Sequence, residues 1–161
     1  MAYCIQEGAQ GPMSKRYYIA YGSNLSVEQM AFRCPDAKVA GMAMLKDWKL
    51  VYRTHATIEP CTGRVVPVLI WEISKQDEKN LDRYEGYPSY YFKQDFAVTM
   101  TELDGKNPKE ITAMVYLMNE GHEIRMPYRS YLDTLAEGYQ RFGFNPYLLE
   151  LAEKETKEAT R

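Results

Sequence analysis

The stretch RYYIAYGSNLSVEQMAFR, residues 16–33, decides the fold. Arg16 to Ala20 is a short aromatic and β-branched run and reads as a strand. It enters Tyr21-Gly22-Ser23-Asn24-Leu25 with no spacer. From Ser26 the period changes: Val27, Met30 and Ala31 fall at helical spacing, and the helix stops before Pro35. A strand feeding directly into a helix through one small polar loop predicts a mixed chain.

Working outward, Val39 to Arg53 reads as one or two strands with a bend near Lys46 and Asp47. His55 to Pro60 reads as a further short extended piece, and Thr62-Gly63 as a turn. Val65 to Ile73 is the most strand-like run, with Pro67 placing part of it at an edge or bulge. Ser74, with Asp77 three residues on, predicts an N-capped helix to about Glu85, stopped by Gly86. Tyr90 to Thr101 and Ile111 to Met118 read as two strands joined by a hairpin at Asp104-Gly105. After Pro127, residues Tyr128, Tyr131, Leu132, Leu135, Tyr139 and Phe142 follow a helical period that Gly143 ends. Asn145-Pro146 opens a last helix, which turns fully charged after Ala152 and is expected to fray.

There are no repeats and no linker. The expectation is one α+β domain over residues 15–152, with about six strands able to curl into a small mixed β-barrel with flanking helices. Residues 153–161 form a charged helix end. Residues 1–14 lack a basic start and an apolar run; Gly8, Gly11 and Pro12 suggest a flexible leader rather than a signal.

Bulk composition excludes several classes. With 161 residues, 45% hydrophobic and 26% charged, the chain is an ordinary globular protein. A net charge of −2 implies no basic surface for nucleic acid. No apolar run approaches the roughly 20 residues of a membrane span. Cys4, Cys34 and Cys61 are odd in number and form no C-x-x-C pair, which fits a cytoplasmic location without a disulfide scaffold. The two histidines, His55 and His122, lack partners at diagnostic spacing and read as structural or exposed, so a zinc site is not expected. Fourteen tyrosines are the oddity; many must be partly buried, with hydroxyls against polar partners.

Three constellations can carry chemistry. At the first strand–helix junction, Gly22 permits close backbone approach, while Ser23 and Asn24 suit helix capping. Unpaired N–H groups there favour a carboxylate or an oxyanion. The same residues also suit a plain capped turn. In Leu81-Asp82-Arg83-Tyr84-Glu85-Gly86-Tyr87-Pro88, Glu85 lies one turn after Leu81, at the edge of an apolar stripe. Burial among Tyr84 and Tyr87 and the negative helix end would both raise its pKa; a solvated Glu on a charged helix is the alternative. Tyr131 reads first as core. No nucleophile elbow surrounds Ser23 and no phosphate loop follows Gly22.

Together these residues resemble the γ-glutamylcyclotransferase family, in the branch with a Tyr-Gly-Ser-Asn-Leu loop, here Tyr21, Gly22, Ser23, Asn24 and Leu25. The family's Leu-Asp-x-x-Glu-Gly segment is matched by Leu81, Asp82, Glu85 and Gly86. The stretches Leu45 to Leu50 and Ala56 to Ile58, then Tyr116 to Met118, Tyr131 and Gly138, follow in the family's order. The resemblance covers about residues 16–145. It implies a small mixed barrel with flanking helices and no metal or cofactor. The loop (Tyr21 to Leu25) would bind the glutamyl head of a small γ-glutamyl substrate, Glu85 would handle protons, and Tyr131 would hydrogen-bond the substrate. The implied product is 5-oxoproline, released from a γ-glutamyl dipeptide or amine by a monomer or homodimer. The glutathione-specific branch generally lacks this Asn-Leu pair, and other relatives act on γ-glutamyl amines or protecting groups, so the leaving group stays open. Two other readings are a non-catalytic binder of glutamyl-like metabolites and a tyrosine-rich protein-interaction module, the latter with an aromatic patch and no pocket.

Overall fold

A computed structural model describes residues 15–161; the leader expected over 1–14, and Cys4 with it, lie outside the described residues. The chain runs β1 (Arg16–Ala20), a 3₁₀ turn (Ser23–Leu25), α1 (Val27–Arg33), β2 (Lys38–Arg53) and β3 (His55–Ile73). It continues through α2 (Lys75–Glu85), β4 (Tyr91–Met100), β5 (Lys109–Met118), α3 (Arg129–Phe142) and α4 (Tyr147–Ala159). The mixed α+β class read from the sequence holds.

Five strands form one sheet in the order β2-β3-β1-β5-β4. The short β1 sits at its centre, antiparallel to β3 and parallel to β5. Its last residues are fully enclosed, with Ile19 at 0% exposure, so the loop that follows is delivered from the buried centre of the sheet.

The barrel expectation needs correction. The two edge strands do not close through a ladder; they meet at one residue pair, Met42 and Thr101, which exchange two backbone hydrogen bonds of 2.9 Å. Gly41 permits that approach, since a Cβ there would lie 2.2 Å from the Thr101 carbonyl oxygen. Elsewhere an open groove separates the two strands, bridged where the Trp48 and Phe96 rings lie 5.0 Å apart. The sheet is rolled and pinned, not closed.

The two extended pieces expected around a turn at Thr62-Gly63 are one strand, β3. Lys46 pairs with Val65 and Trp48 with Pro60, so residues 61–64 bulge opposite the single residue Asp47. Asp47 takes φ 66° and its carboxylate accepts the Gly63 N–H at 2.9 Å. A side chain stands in for the missing ladder bonds. Pro67 lies in an interior strand but beyond the β1 ladder, which ends at Leu69, so it does behave locally as an edge residue.

The helices follow their punctuation. Ser74 and Asp77 form a reciprocal capping box, and Gly86 ends α2 at φ 63°, fixing Glu85 as its last residue. Leu81, one turn earlier, is fully buried and anchors that end. On α3, Leu132, Leu135 and Tyr139 face the core. The charged last helix does not fray: α4 runs to Ala159 with Thr156 buried, and Glu155 pairs with Arg64 at 3.0 Å. No described helix is long and apolar enough to cross a membrane.

Candidate active site

The loop after β1 is built from inside out. Leu25 is completely buried against α3, where a Cβ on Gly138 would come within 2.6 Å of the Leu25 Cβ. Asn24 is buried too: its amide donates to the Tyr18 hydroxyl at 2.8 Å, its side-chain oxygen accepts from Arg33, and its carbonyl accepts the Trp71 indole N–H at 3.0 Å. The following helix is capped by Ser26, which accepts from the Gln29 N–H, rather than by Ser23 or Asn24. Ser23 instead shares a 3.0 Å hydrogen bond with the Tyr84 hydroxyl. A 3₁₀ turn intervenes, in which the Leu25 N–H bonds the Gly22 carbonyl at 3.0 Å. The N–H groups of Gly22, Ser23 and Asn24 meet no acceptor among the described residues. Three free donors in succession are what a carboxylate or an oxyanion requires.

These residues border a cavity of about 270 Å³ that also takes in Tyr21, Glu85 and Tyr131. Of the residues expected to act, the loop from Tyr21 to Asn24, Glu85 and Tyr131 thus share one cavity. Leu25 is not among the lining residues; its part is to lock the loop onto α3.

Glu85 makes no hydrogen bond to any described side chain, although as a whole residue it is only half-buried. Its carboxyl lies in the cavity, where burial raises its pKa to about 7; the Arg33 guanidinium acts in the opposite direction and does not prevail. A carboxyl poised there exists in both protonation states near neutrality. Tyr84 lines the cavity with Glu85, whereas Tyr87 does not; the Tyr87 ring packs beneath the Lys93 ammonium at 4.3 Å.

Tyr131 accepts the Ala56 N–H at 3.0 Å and is half-buried; burial raises its pKa, so it stays a neutral phenol. Tyr21 donates to the Tyr116 carbonyl at 2.7 Å, and Tyr91 to the Ala56 carbonyl at 2.8 Å. Tyrosine hydroxyls meeting backbone groups thus form much of the wall. Tyr52 and Tyr139 break the pattern, with buried hydroxyls that lack a partner.

Sequence reading missed four contributors. Arg33 lies 3.4 Å from the Tyr84 ring centroid and holds Asn24, tying α1, the loop and α2 together. His55, expected to be structural or exposed, is exposed yet lines the cavity beside Tyr90 and Tyr131. Tyr90 and Tyr116 also line it. No local motif marks Arg33, His55 or Tyr90, and the Tyr116 to Met118 stretch carries no sign of a site; only strand pairing and helix packing bring them together. The presence of a cavity departs from the pocketless surface expected of an interaction module.

The family model for gamma-glutamyl cyclotransferase, AIG2-like proteins matches residues 18–139. A gamma-glutamylcyclotransferase of Mus musculus is 31% identical over 150 residues, covering 85% of this chain and 77% of the mouse protein. That of Homo sapiens is 30% identical over 146 residues, covering 83% and 75%. A solved structure of a gamma-glutamyl cyclotransferase superposes with a TM-score of 0.74 at 28% identity, covering 87% of each chain.

Proposed function

The chain belongs to the gamma-glutamyl cyclotransferase, AIG2-like family, and from that premise we propose that it converts a small γ-glutamyl compound into 5-oxoproline and a free amine or amino acid, with Glu85 as the acid/base. One observation carries the reading: a carboxyl with a pKa near 7 and a run of unpaired backbone N–H groups border the same cavity.

The substrate carries its own nucleophile. Its α-amino nitrogen attacks its γ-carbonyl carbon, a C–N bond forms, and the original γ-amide C–N bond breaks. Oriented intramolecular attack reaches effective molarities of roughly 10⁵ M or more, so holding the folded conformer is a large part of the catalysis. Glu85 as carboxylate takes one proton from the α-ammonium to free the attacking amine; a second leaves the same nitrogen as the ring closes, and both pass to the departing nitrogen, which leaves as an ammonium. Nothing is consumed and Glu85 is regenerated. A group of this kind contributes about 10²- to 10⁴-fold. The transient oxyanion is served by N–H groups of Gly22 to Asn24, each such donor being worth roughly 3 kcal/mol. Tyr131 stays neutral and offers its phenol to the substrate.

Glu85→Gln keeps the shape of the side chain and removes its titration. The variant is expected to bind an unreactive γ-glutamyl analogue while losing at least about 10²-fold in turnover. Turnover is followed as 5-oxoproline by mass across a panel of γ-glutamyl dipeptides and amines. A variant retaining the parent rate would remove Glu85 from the mechanism. A parent protein that binds the analogue but releases no product would leave a binder instead.

A further inference from the structure

The cavity lining is of two chemical kinds. One holds the free N–H groups of Gly22 to Asn24 and the Glu85 carboxyl. The other is a wall of rings. His55 stands edge-on to Tyr131, centroids 5.5 Å apart at 75°, and edge-on to Tyr90 at 6.1 Å and 77°. Tyr90 is backed by His122 at 4.2 Å and by Tyr91 at 5.3 Å.

The wall is fixed before any ligand arrives. The Tyr90 N–H bonds the Gly86 carbonyl at 2.8 Å, and the Tyr90 carbonyl accepts the Asn119 N–H at 2.9 Å. Ala56 holds the Tyr131 and Tyr91 hydroxyls through its own N–H and carbonyl. Rings held this way lose little freedom on binding. Tyr131 joins the two, its hydroxyl near Gly22 and its ring against His55.

The charge in the lining is sparse. Glu85 is its only carboxyl and Arg83 its only guanidinium or ammonium. Burial lowers the pKa of His55, which keeps the ring neutral at physiological pH. When the glutamyl half of a substrate is held at the loop, the amine half has the ring wall to lie against.

Resting on the function proposed above, we infer that His55, Tyr90 and Tyr131 form the leaving-group subsite, and that it favours γ-glutamyl dipeptides whose leaving amino acid carries a flat aromatic side chain. Edge-on and offset ring contacts suit such a group. Tyrosine faces also attract cations, which makes a diamine the competing occupant. Arg83 disfavours it, and the carboxylate of a leaving amino acid instead complements that charge.

The test measures kcat and KM of the full chain for γ-glutamylphenylalanine, γ-glutamylalanine and γ-glutamyl-1,4-diaminobutane. The phenylalanine compound is expected to exceed the other two in kcat/KM by about tenfold. Tyr90→Ala should shrink the phenylalanine-to-alanine ratio about fivefold, through KM, and Tyr90→Phe should preserve it. His55→Ala, at an exposed position, should shrink the ratio in the same direction and carries the test if Tyr90→Ala fails to fold. A diamine ranked first, or a ratio indifferent to the variants, overturns the inference while leaving the cyclotransferase reading intact. Absence of 5-oxoproline from every compound overturns both.

Discussion

A Cβ placed on Gly22 would lie 3.1 Å from the Tyr131 hydroxyl oxygen, so loop and helix meet with no room for a side chain between them. The Ala56 N–H holds that hydroxyl from the other side at 3.0 Å, so it does not swing away freely. Gly22→Val is therefore expected to displace the loop amides and weaken an unreactive γ-glutamyl analogue roughly tenfold or more, measured by calorimetry. Unchanged affinity would place the glutamyl head elsewhere.

Glu85 should make stability fall as pH rises. Its folded-state pKa of about 7 stands above the ordinary value of 4.5, so between them the folded chain binds more protons than the unfolded one. The favourable contribution is complete below the ordinary value and is lost as pH climbs through about 7. It amounts to at most about 3 kcal/mol, and less because the residue is half-buried. Urea unfolding at about pH 5 and about pH 8 should show this slope in the parent and a flatter one in Glu85→Gln. Identical slopes would contradict the burial argument.

Catalysis by the carboxylate form implies that kcat/KM rises through an acid limb near 7, where burial sets the Glu85 titration. Arg33 pulls that titration downward, so Arg33→Met is expected to move the limb to higher pH while Arg33→Lys leaves it nearly in place. The two pH profiles decide it; a limb unmoved in Arg33→Met would mean that the Arg33 field does not reach the carboxyl.

Gly138→Ala tests how the loop is locked. The added methyl would lie 2.6 Å from the Leu25 Cβ, closer than side chains tolerate, and both partners are buried. A loss of about 1–3 kcal/mol in thermal unfolding is expected, with a fall in kcat/KM as the loop shifts. A variant with parent stability would show that α3 yields easily at this point.

Elements governed by local rules were legible. The Ser74 and Asp77 capping box, the left-handed stops at Gly86 and Gly143, and the Asp104-Gly105 hairpin each follow from residues a few positions apart. Glu85 could be placed at the end of its helix for the same reason. The bulge opposite Asp47 reads as a turn in the sequence, because Thr62-Gly63 carries the same signal whether a chain reverses or merely swells within a ladder. The charged run after Ala152 has no local sign of its anchors, Arg64 and Lys49, which lie far away in sequence.

The sequence by itself determined the mixed α+β class, the loop that follows β1 and the carboxyl that ends α2, since propensity, capping and period act over a few residues. Only the tertiary structure decided that this carboxyl shares a cavity with the loop's free N–H groups, that Leu25 serves as a lock, and that His55 and Tyr90 line the same cavity. It also decided that the sheet is pinned at Met42 and Thr101 instead of closing. Those facts arise from contacts between segments tens of residues apart, and burial, which sets the proton affinity of Glu85, belongs to the packed whole and to no segment of it.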